Sequence, residues 1–297
     1  MVCPQQRSGE TRFWNERIRP LPENVRLYRS VSAALAESSW DWVLAHNLHD
    51  LLDSRQLSIP KIFLVHGTLK GRIVQERSLI DRTQYLETLK IVLDQHRCRV
   101  IYISELKRED WGIPGDVLYS SVDPCDYGGY RGERRGILQV CNHFKERGEI
   151  LGWEAHETAC RDLPSLVLGN NPTLRESRVP TSWEDLKEHY RSFRIYLHTA
   201  VYPYEDGHNL ALLEAMATGM PVAALRHPTS PVEDGVEGVV ARNPVELREK
   251  VRWLLDQPEQ AARMGNAARM TVARKFPLAR FQAEWGSVAS SLGFAQE

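Results

Sequence analysis

The sequence predicts an α/β fold with two parallel sheets, and three observations lead to this prediction. Short apolar runs alternate along the chain with longer stretches of helical periodicity, which is the pattern of parallel strands joined by helices. Nine candidate strands suit two small sheets better than one. Residues 123–135 are rich in glycine and charge and separate two of these strands, so we place a domain boundary there.

Each predicted strand is a short apolar run bounded by polar residues, glycine or proline. The nine runs are residues 42–45, 61–65, 99–103, 116–119, 136–140, 165–168, 195–197, 221–224 and 238–240. Continuous apolar runs of this length are typical of strands that are covered on both faces, as in parallel sheets.

Seven helices are predicted from apolar residues that recur at helical spacing. They cover residues 31–39, 82–94, 146–161, 182–190, 210–218, 245–256 and 258–275. The last of these is the longest. Its apolar side is formed by Ala261, Met264, Ala268, Val272 and Phe276.

Composition and charge are those of an ordinary soluble globular protein. The chain has 297 residues, of which 42% are apolar and 26% charged, so it is long enough for two domain cores. Lys and Arg number 38 and Asp and Glu number 39, which argues against a protein that binds nucleic acid over its whole surface. No apolar run reaches the roughly 18 residues of a membrane-spanning helix.

The cysteines and the N-terminal residues favour a reducing, cytoplasmic setting. The five cysteines are odd in number and far apart, with no Cys-x-x-Cys spacing, so they suggest neither a disulfide framework nor a zinc ribbon. Residues 1–22 are polar and contain no apolar core of a secretion signal. Phe13 and Trp14 lie among several arginines there, which leaves contact with the inner membrane surface, or with a protein partner, as an alternative.

The residues that carry the most chemistry lie between positions 202 and 222. Asn209 is placed to cap the helix 210–218, which ends at Gly219 just before Pro221. The unpaired N–H groups at the start of this helix face the acidic loop before it. Such a helix end favours an anion, for example a phosphate.

Glu214 lies inside this helix among small or apolar neighbours. The residues one turn away on either side are Leu210, Ala211, Ala217 and Thr218. A buried ionised carboxylate without partners is too costly to keep. Glu214 therefore either pairs inside the protein or lines a cleft and accepts hydrogen bonds from a ligand, and the residues alone leave both readings open.

The segment from Asp206 to Val222 resembles the E-x7-E segment of retaining GT-B glycosyltransferases. Asp206 and Glu214 stand at the same spacing, and Leu-Leu-Glu-Ala-Met-Ala-x-Gly-x-Pro-Val continues the match. Residues 231–240 resemble the strand that closes the family's donor domain. Upstream, residues 136–148 and 166–169 resemble its V-G-R-L…K-G and L-x-I-x-G segments.

The first half of the chain is similar to the family in shorter motifs. Asp41-Trp-Val-Leu-Ala-His46 resembles a D-V-V-x-x-H strand. Residues 62–67 resemble the family strand that ends in His-Gly, with His66 facing the cleft. Residues 100–104 and 122–123 resemble its x-V-S and G-V-D segments.

The resemblance implies a GT-B architecture, in which two doubly wound Rossmann-like domains face a cleft at the carboxyl ends of their strands. Residues 1–130, joined by residues 277–297, would form the acceptor-side domain. Residues 131–276 would form the donor domain that binds a nucleotide-sugar. The family's opening strand and glycine-rich loop are absent before Arg26, so we expect the first domain to be shortened.

The resemblance also implies a role for each matching residue. Glu214 would bind the ribose hydroxyls of the donor, since a carboxylate accepts two hydrogen bonds at once. Asp206 would contact the sugar where the family usually has glutamate, with Glu205 beside it. His66 would lie near the anomeric carbon, and Arg147, at the family's lysine position, would neutralise the leaving diphosphate.

The remaining implied donor contacts come from loops at the same edge of the sheet. They are Gly169, Gly207, His208, Asn209 and Leu210, with backbone N–H groups at 207–209 holding sugar hydroxyls or phosphate. Two positions depart from the family. Asn142 stands where the family usually has a diphosphate-binding arginine, with Lys145 close enough in sequence to take its place, and Asn209 stands where the family usually has glycine.

The implied activity is metal-independent transfer of a hexose from a nucleoside-diphosphate-sugar to an acceptor, with retention at the anomeric carbon. The acceptor, a glycan, a lipid or a small molecule, is unknown, and the implied process is polysaccharide or glycoconjugate synthesis. The family implies front-face attack, in which the departing phosphate takes the acceptor's proton. We expect no cofactor. His46, His49 and Asp50 offer a metal site as an alternative, but a fourth ligand is not evident in the sequence.

Two alternatives stay open on the same fold. Asn142 and the short first domain also suit a weak or inactive subunit that binds a sugar-nucleotide. A sugar-nucleotide epimerase is the other alternative, and the helix 210–218 argues against it.

Overall fold

A computed structural model of the chain describes residue 16 and residues 18–76 and 81–292. Phe13 and Trp14, for which membrane contact is an alternative, lie outside these residues. The described residues form nine strands and twelve helices, and every predicted strand is present. None of the helices in these ranges is both long and apolar enough to cross a membrane.

The first sheet contains four parallel strands in sequential order. They are β1 (Val43–Ala45), β2 (Lys61–Val65), β3 (Arg99–Tyr102) and β4 (Asp116–Val117). The helices that precede and connect them are α1 (Val31–Glu37), α2 (Leu48–Asp53), α3 (Leu69–Glu76), α4 (Arg82–Gln95) and α5 (Glu105–Trp111). All five residues of β2 are buried, as expected for a strand covered on both faces.

The two faces of the first sheet are covered by different parts of the chain. Phe63 and Val65 pack with residues of α2 to α5 on one face. Ile62 and Leu64 point to the other face, where Val288 of helix α12 (Leu278–Ser291) covers them. Right-handed connections between strands in sequential order put the connecting helices on one face. The second face of this shortened domain is therefore covered by a helix from far along the chain.

The second sheet contains five parallel strands in the order β6-β5-β7-β8-β9. They are β5 (Arg134–Val140), β6 (Ser165–Leu168), β7 (Phe193–His198), β8 (Val222–Leu225) and β9 (Gly238–Ala241). The chain enters at β5, moves to β6 on one side and then to β7 on the other. This reversal creates a topological switch point between β5 and β7, and ligands of doubly wound sheets bind at such points.

Helices cover both faces of the second sheet. They are α6 (Gly148–Leu151), α7 (Trp153–Cys160), α8 (Trp183–Ser192), α9 (Leu210–Thr218), α10 (Pro244–Leu255) and α11 (Pro258–Lys275). Buried residues of α8 and α9 pack on one face with the C-terminal part of α11. Residues of α7 and α10 pack on the other face. The predicted α/β fold with two parallel sheets is thus confirmed.

The predicted helix over residues 146–161 is wrong in one respect, because Gly152 divides it into α6 and α7. Gly152 has a φ of +76°, and a Cβ there would lie 2.1 Å from the carbonyl oxygen of Thr199. Only glycine fits this left-handed position against neighbouring backbone. Helices α2, α3, α5 and α12 were not predicted; α2 and α5 are short, although Asn47 and Ser104 cap them.

The carboxyl ends of the two sheets face each other. Thr68, just after β2, donates a hydrogen bond of 2.5 Å from Oγ1 to the carbonyl oxygen of Tyr204, in the loop after β7. Ser104, after β3, donates to Asp206 of the same loop. The loop after β7 therefore forms one contact between the domains and one wall of the cleft.

Candidate active site

A cavity of about 200 Å³ lies in the cleft between the two domains. The first sheet contributes His46 and His66, which follow β1 and β2. The second sheet contributes Arg147, from the loop after β5, and Tyr204 and Glu205, from the loop after β7. The cavity therefore lies at the carboxyl ends of strands from both sheets, next to the switch point of the second sheet.

His66 forms a hydrogen bond with a second histidine in the cavity wall. Its Nε2 lies 2.7 Å from Nδ1 of His46, and the two ring planes are 13° apart. Burial of the ring removes it from water and lowers the pKa of His66 to about 4. The positive charges of Lys107 and of protonated His46 act in the same direction. His66 is therefore neutral at pH 7 and can donate or accept one hydrogen bond at its other ring nitrogen.

Arg147 lines the same cavity as His66 and comes from the other domain. It precedes α6, and its side chain is 31% exposed. Its Nη2 lies 4.0 Å from Oε2 of Glu205, and its buried Nε has no hydrogen-bond partner in the part of the chain that is described. Arg147 thus places a loosely paired positive charge at the cavity, which suits an anionic ligand.

Asp206 is buried in an ion cluster with the first domain. Ser104 Oγ donates to its Oδ1 at 2.9 Å, and Lys107 Nζ pairs with its Oδ2. Lys107 also donates to Oε1 of Glu205 at 2.9 Å. The side chains of Lys107 and Asp206 are each only 1% exposed. The polar groups of this cluster satisfy one another, as buried charges require.

The cluster fixes the charge of Lys107. Burial alone acts to lower the pKa of this ammonium group, but Glu205 and Asp206 outweigh it and raise the pKa above its ordinary value. Both oxygens of Asp206 face α5 rather than the open cavity. Glu205, which also lines the cavity, is the acid of this loop that a ligand reaches in this structure.

Glu214 is buried in α9 and paired inside the protein. Tyr190 donates from its hydroxyl group to Oε2 at 2.9 Å, and Arg19 forms an ion pair with Oε1. The side chain of Glu214 is 5% exposed and does not line the cavity between the domains. Of the two readings left open by the sequence, the structure shows internal pairing. The arginine, however, comes from the N-terminal segment and not from the donor domain.

The start of α9 has the predicted cap. Asn209 Oδ1 accepts a hydrogen bond of 2.9 Å from the N–H of Leu212, and Gly219 ends the helix in a left-handed conformation. Gly207 donates its N–H to Thr229 Oγ1 at 2.8 Å, so this group already has a partner. His208 lies between the rings of Tyr119 and Phe276, and Leu210 is exposed.

The second half of the chain matches a known protein family. Residues 137–284 match the family model described as glycosyl transferase-like. This half of the chain is a glycosyltransferase domain. The match covers β5 to α12, which includes Arg147, Asp206 and Glu214. None of the curated protein sequences matches the chain.

Solved structures with the same fold are GT-B glycosyltransferases. HepE of Anabaena, in complex with UDP and glucose, is 15% identical, has a TM-score of 0.66, and the match covers 85% of this chain and 78% of HepE. Sucrose-phosphate synthase from Thermosynechococcus elongatus is 15% identical, with a TM-score of 0.65 and coverage of 88% and 76%. A glycosyltransferase from Rickettsia africae is 14% identical, with a TM-score of 0.60 and coverage of 88% and 79%. The chain therefore has the GT-B fold.

The loop after β5 differs from the predicted donor contacts of a GT-B glycosyltransferase. Asn142 Oδ1 accepts a hydrogen bond of 2.8 Å from the N–H of Asn170, so this side chain stabilises the loop after β6. Gly169 has a φ of +132°, and a Cβ there would lie 2.1 Å from the carbonyl oxygen of Cys141. Lys145 is exposed, with Nζ 5.9 Å from the ring centre of Trp153. The structure brings Arg147, and neither Asn142 nor Lys145, to the cavity.

Several residues of this candidate site were not predicted. Ser104 and Lys107 hold the acidic loop, and Arg19 and Tyr190 hold Glu214. Ser104 could have been found as a helix cap, since a serine before a short helix is a recognised signal. The other contacts join residues far apart in the chain and leave no periodic signal.

The structure does not support the alternative of a metal site at His46, His49 and Asp50. Across residues 18–76 and 81–292, no three His, Cys, Asp or Glu side chains are placed to hold a metal ion. His46, proposed as one ligand, instead bonds to His66. The backbone N–H of His46 donates to Asp50 at 3.0 Å, so Asp50 supports the turn after β1.

Proposed function

We propose that this glycosyltransferase moves a hexose from a nucleoside-diphosphate-sugar to an acceptor, with retention at the anomeric carbon and without a metal ion. The observation that carries the proposal is that Arg147 of one domain and His66 of the other line one cavity at the carboxyl ends of both sheets. HepE, which has the same fold, is described in complexes with UDP and UDP-glucose. On those grounds we infer that the donor of this protein is also a nucleotide-sugar.

Arg147 is the group that would stabilise the leaving diphosphate. Negative charge grows on the diphosphate as the glycosidic bond breaks, and a fixed guanidinium lowers the barrier because it needs no reorganisation at that moment. The N-terminus of α9 adds the positive end of a helix dipole on the same side of the cleft. Charge stabilisation by the protein's own groups would therefore replace a metal ion.

His66 and Glu205 would hold the sugar. The neutral imidazole of His66 and the carboxylate of Glu205 both line the cavity and can each bond to a sugar hydroxyl. The sequence predicts Asp206 for this contact. Since Asp206 is engaged by Ser104 and Lys107, we assign the contact to Glu205 and give Asp206 the task of holding the loop.

Front-face attack is the reaction course that suits the cavity. Its carboxylate, Glu205, comes from the donor domain, and the residues that line it from the first sheet include two histidines and no acid. A double displacement needs a carboxylate nucleophile on the opposite side of the sugar. We therefore propose that an oxygen of the departing phosphate accepts the proton of the acceptor hydroxyl.

Nucleotide-sugar turnover tests the proposal. We expect slow hydrolysis, or transfer to a supplied acceptor, with at least one of UDP-, GDP-, ADP- and TDP-glucose. Proton NMR of the first product formed should show the anomeric configuration of the donor. Inversion would refute retention, and an activity that is lost with EDTA and restored by a divalent ion would refute the metal-independent mechanism.

Arg147→Ala tests the residue that carries the proposal. We expect kcat to fall about 100-fold with a smaller change in KM, because the charge that Arg147 stabilises appears in the transition state. Arg135→Ala is the matched control, since Arg135 lies at the opposite end of β5 and pairs on the surface with Asp256 at 2.6 Å. Equal kcat in Arg147→Ala and wild type would remove Arg147 from the mechanism.

A second candidate is a subunit that binds a sugar-nucleotide without turning it over. It is favoured by Asn142, which bonds to Asn170 where the family usually has an arginine. Calorimetry and turnover measured on the same preparation separate the two candidates. Donor binding without hydrolysis or transfer, and with no loss on Arg147→Ala, would favour the binding subunit.

A further inference from the structure

The guanidinium group of Arg19 lies between an aromatic ring and the buried carboxylate of α9. Its central carbon is 3.9 Å from the ring centre of Trp183, the first residue of α8. It forms an ion pair with Oε1 of Glu214, and its Nη1 lies 3.4 Å from the hydroxyl of Tyr127. A single planar group thus stacks on one face and donates hydrogen bonds at its edge.

A nucleoside offers the same two features. Its base is a flat ring that stacks on aromatic side chains, and its ribose diol offers two hydroxyl donors to one carboxylate. The family resemblance already implies Glu214 as the ribose contact of the donor site. We propose that Arg19, which stacks on Trp183 and pairs with Glu214, occupies the place of the nucleoside in the ligand-free chain as an intramolecular competitor. This inference rests on the proposed function, since it takes a nucleotide-sugar as the ligand.

The size of the open cavity supports this reading. The cavity that His66 and Arg147 line measures about 200 Å³, which is below the roughly 300–1,000 Å³ of pockets that enclose a whole drug-sized ligand. The cavity can take the sugar end of a donor, but the nucleoside needs more room. Glu214 is 5% exposed while the Arg19 side chain that bonds to it is 37% exposed, so Arg19 lies between the carboxylate and solvent.

The exchange of Arg19 for a nucleoside leaves no buried group unpaired. Oε2 of Glu214 keeps its hydrogen bond from Tyr190. Oε1 loses the guanidinium and gains ribose hydroxyl groups, and Trp183 exchanges one stacked planar group for another. If Arg19 left without a replacement, the carboxylate of Glu214 would stay buried and charged with no cation beside it, which is costly. Displacement of Arg19 and binding of the nucleoside would therefore occur together.

The segment that carries Arg19 is held by few backbone hydrogen bonds of its own. Residues 18–27 form no helix or strand, and the one backbone hydrogen bond found within them joins Val25 to Pro22 at 2.9 Å. Ile18 packs against the core of the second sheet and helps to hold Arg19 in place. Release of the segment breaks the ion pair with Glu214, the stacking on Trp183 and the contacts of Tyr127 and Ile18. The apparent affinity for the nucleotide is then reduced to the fraction of molecules in which Arg19 is released.

Calorimetric titration of the full-length protein with UDP, GDP, ADP and TDP tests this inference. Arg19→Ala should tighten the binding of the preferred nucleotide by about tenfold, since removal of the competitor leaves the binding-competent state more populated. Trp183→Ala should weaken it by about tenfold or more, and Trp183→Phe by less, because phenylalanine keeps a stacking face. Arg26→Ala is the matched control and should change nothing, since Arg26 pairs with Glu37 on the surface.

Each outcome decides a separate question. Equal or weaker binding by Arg19→Ala, with binding intact in wild type, would overturn the competitor role while leaving the proposed function standing. Arg19→Gln provides a second variant of similar size if Arg19→Ala unfolds. Unchanged binding by Glu214→Ala, checked for folding by circular dichroism, would overturn the subsite. If neither wild type nor Arg19→Ala binds any of the four nucleotides, the proposed function fails, and this inference fails with it.

Discussion

Replacement of Lys107 with methionine tests the ion cluster that joins the two domains. Methionine keeps most of the length and volume of the lysine stem, so the change removes the charge and the donors more than the packing. Asp206 then loses the ammonium group that neutralises it, and Glu205 loses its bond of 2.9 Å. Ser104 remains as the hydrogen-bond donor to Asp206.

The expected loss follows from burial. Lys107 and Asp206 are both 1% exposed, so water cannot replace the missing partner. Removal of one member of a buried ion pair costs about 3–5 kcal/mol, because the other charge stays buried and unpaired. Lys70→Met is the control, since Lys70 is 46% exposed and its pair with Asp110, at 3.4 Å, should contribute no more than about 1 kcal/mol.

Urea denaturation at pH 7 measures both variants, with tryptophan fluorescence and far-UV circular dichroism required to give the same transition. The pKa of Lys107 is raised above 10.5, so its contribution is fully present below pH 10.5 and is lost only as the pH rises through the raised value. The deficit of Lys107→Met should therefore be the same at pH 7 and pH 9.

A double-mutant cycle identifies the partner. Asp206→Asn removes the charge of Asp206, and the loss in Lys107→Met should be smaller in that background by about 1–3 kcal/mol. A loss below about 1 kcal/mol in Lys107→Met, or additive losses in the double variant, would refute the conclusion that this cluster is a strongly coupled contact between the domains.

Two further predictions concern stability. Burial lowers the pKa of His156 to about 4 and of His198 to about 3, so below pH 6.5 the unfolded chain binds protons that the folded protein does not. The free energy of unfolding should fall by about 1.4 kcal/mol per pH unit for each of these histidines between pH 6.5 and 4, as measured by urea denaturation, and an unchanged slope in His198→Asn would contradict this. Gly152→Ala should destabilise by more than about 2 kcal/mol, because the new Cβ meets backbone 2.1 Å away as well as a φ of +76°. Gly235→Ala, with a φ of +83° and open space around it, should lose about 1 kcal/mol, and equal losses would show that the backbone contact does not matter.

The parts of the fold that the sequence predicts are those with local signals. The strands are apolar runs, and Asn209 and Gly219 define the two ends of α9 through the caps that their own side chain and backbone make. Gly152 carried such a signal as well, but a single glycine in a helical pattern is tolerated often enough that it does not predict a break. The close approach of Thr199, which requires glycine there, is a tertiary contact.

The site was harder to predict because its partners are distant in sequence. Lys107 pairs with an acid 99 positions later, and Arg19 with one 195 positions later. The resemblance to the E-x7-E segment identified Asp206 and Glu214 as a pair, and a buried acid requires a partner. The residue that fills this role depends on how two domains and the N-terminal segment pack, and neither periodicity nor composition records that.

The position of α12 has a consequence for the order in which the protein is made. The side of the first sheet that contains Ile62 and Ile101 is covered by Val288, which is synthesised after the whole second sheet. During translation, this apolar face of the first sheet therefore stays exposed until α12 has been synthesised. The second sheet lies earlier in the chain than α12 and can form its own core before then. Domains generally mature from the amino terminus onward during translation, and here the later one is expected to finish first. A nascent chain of this protein should thus need protection by chaperones until α12 has emerged.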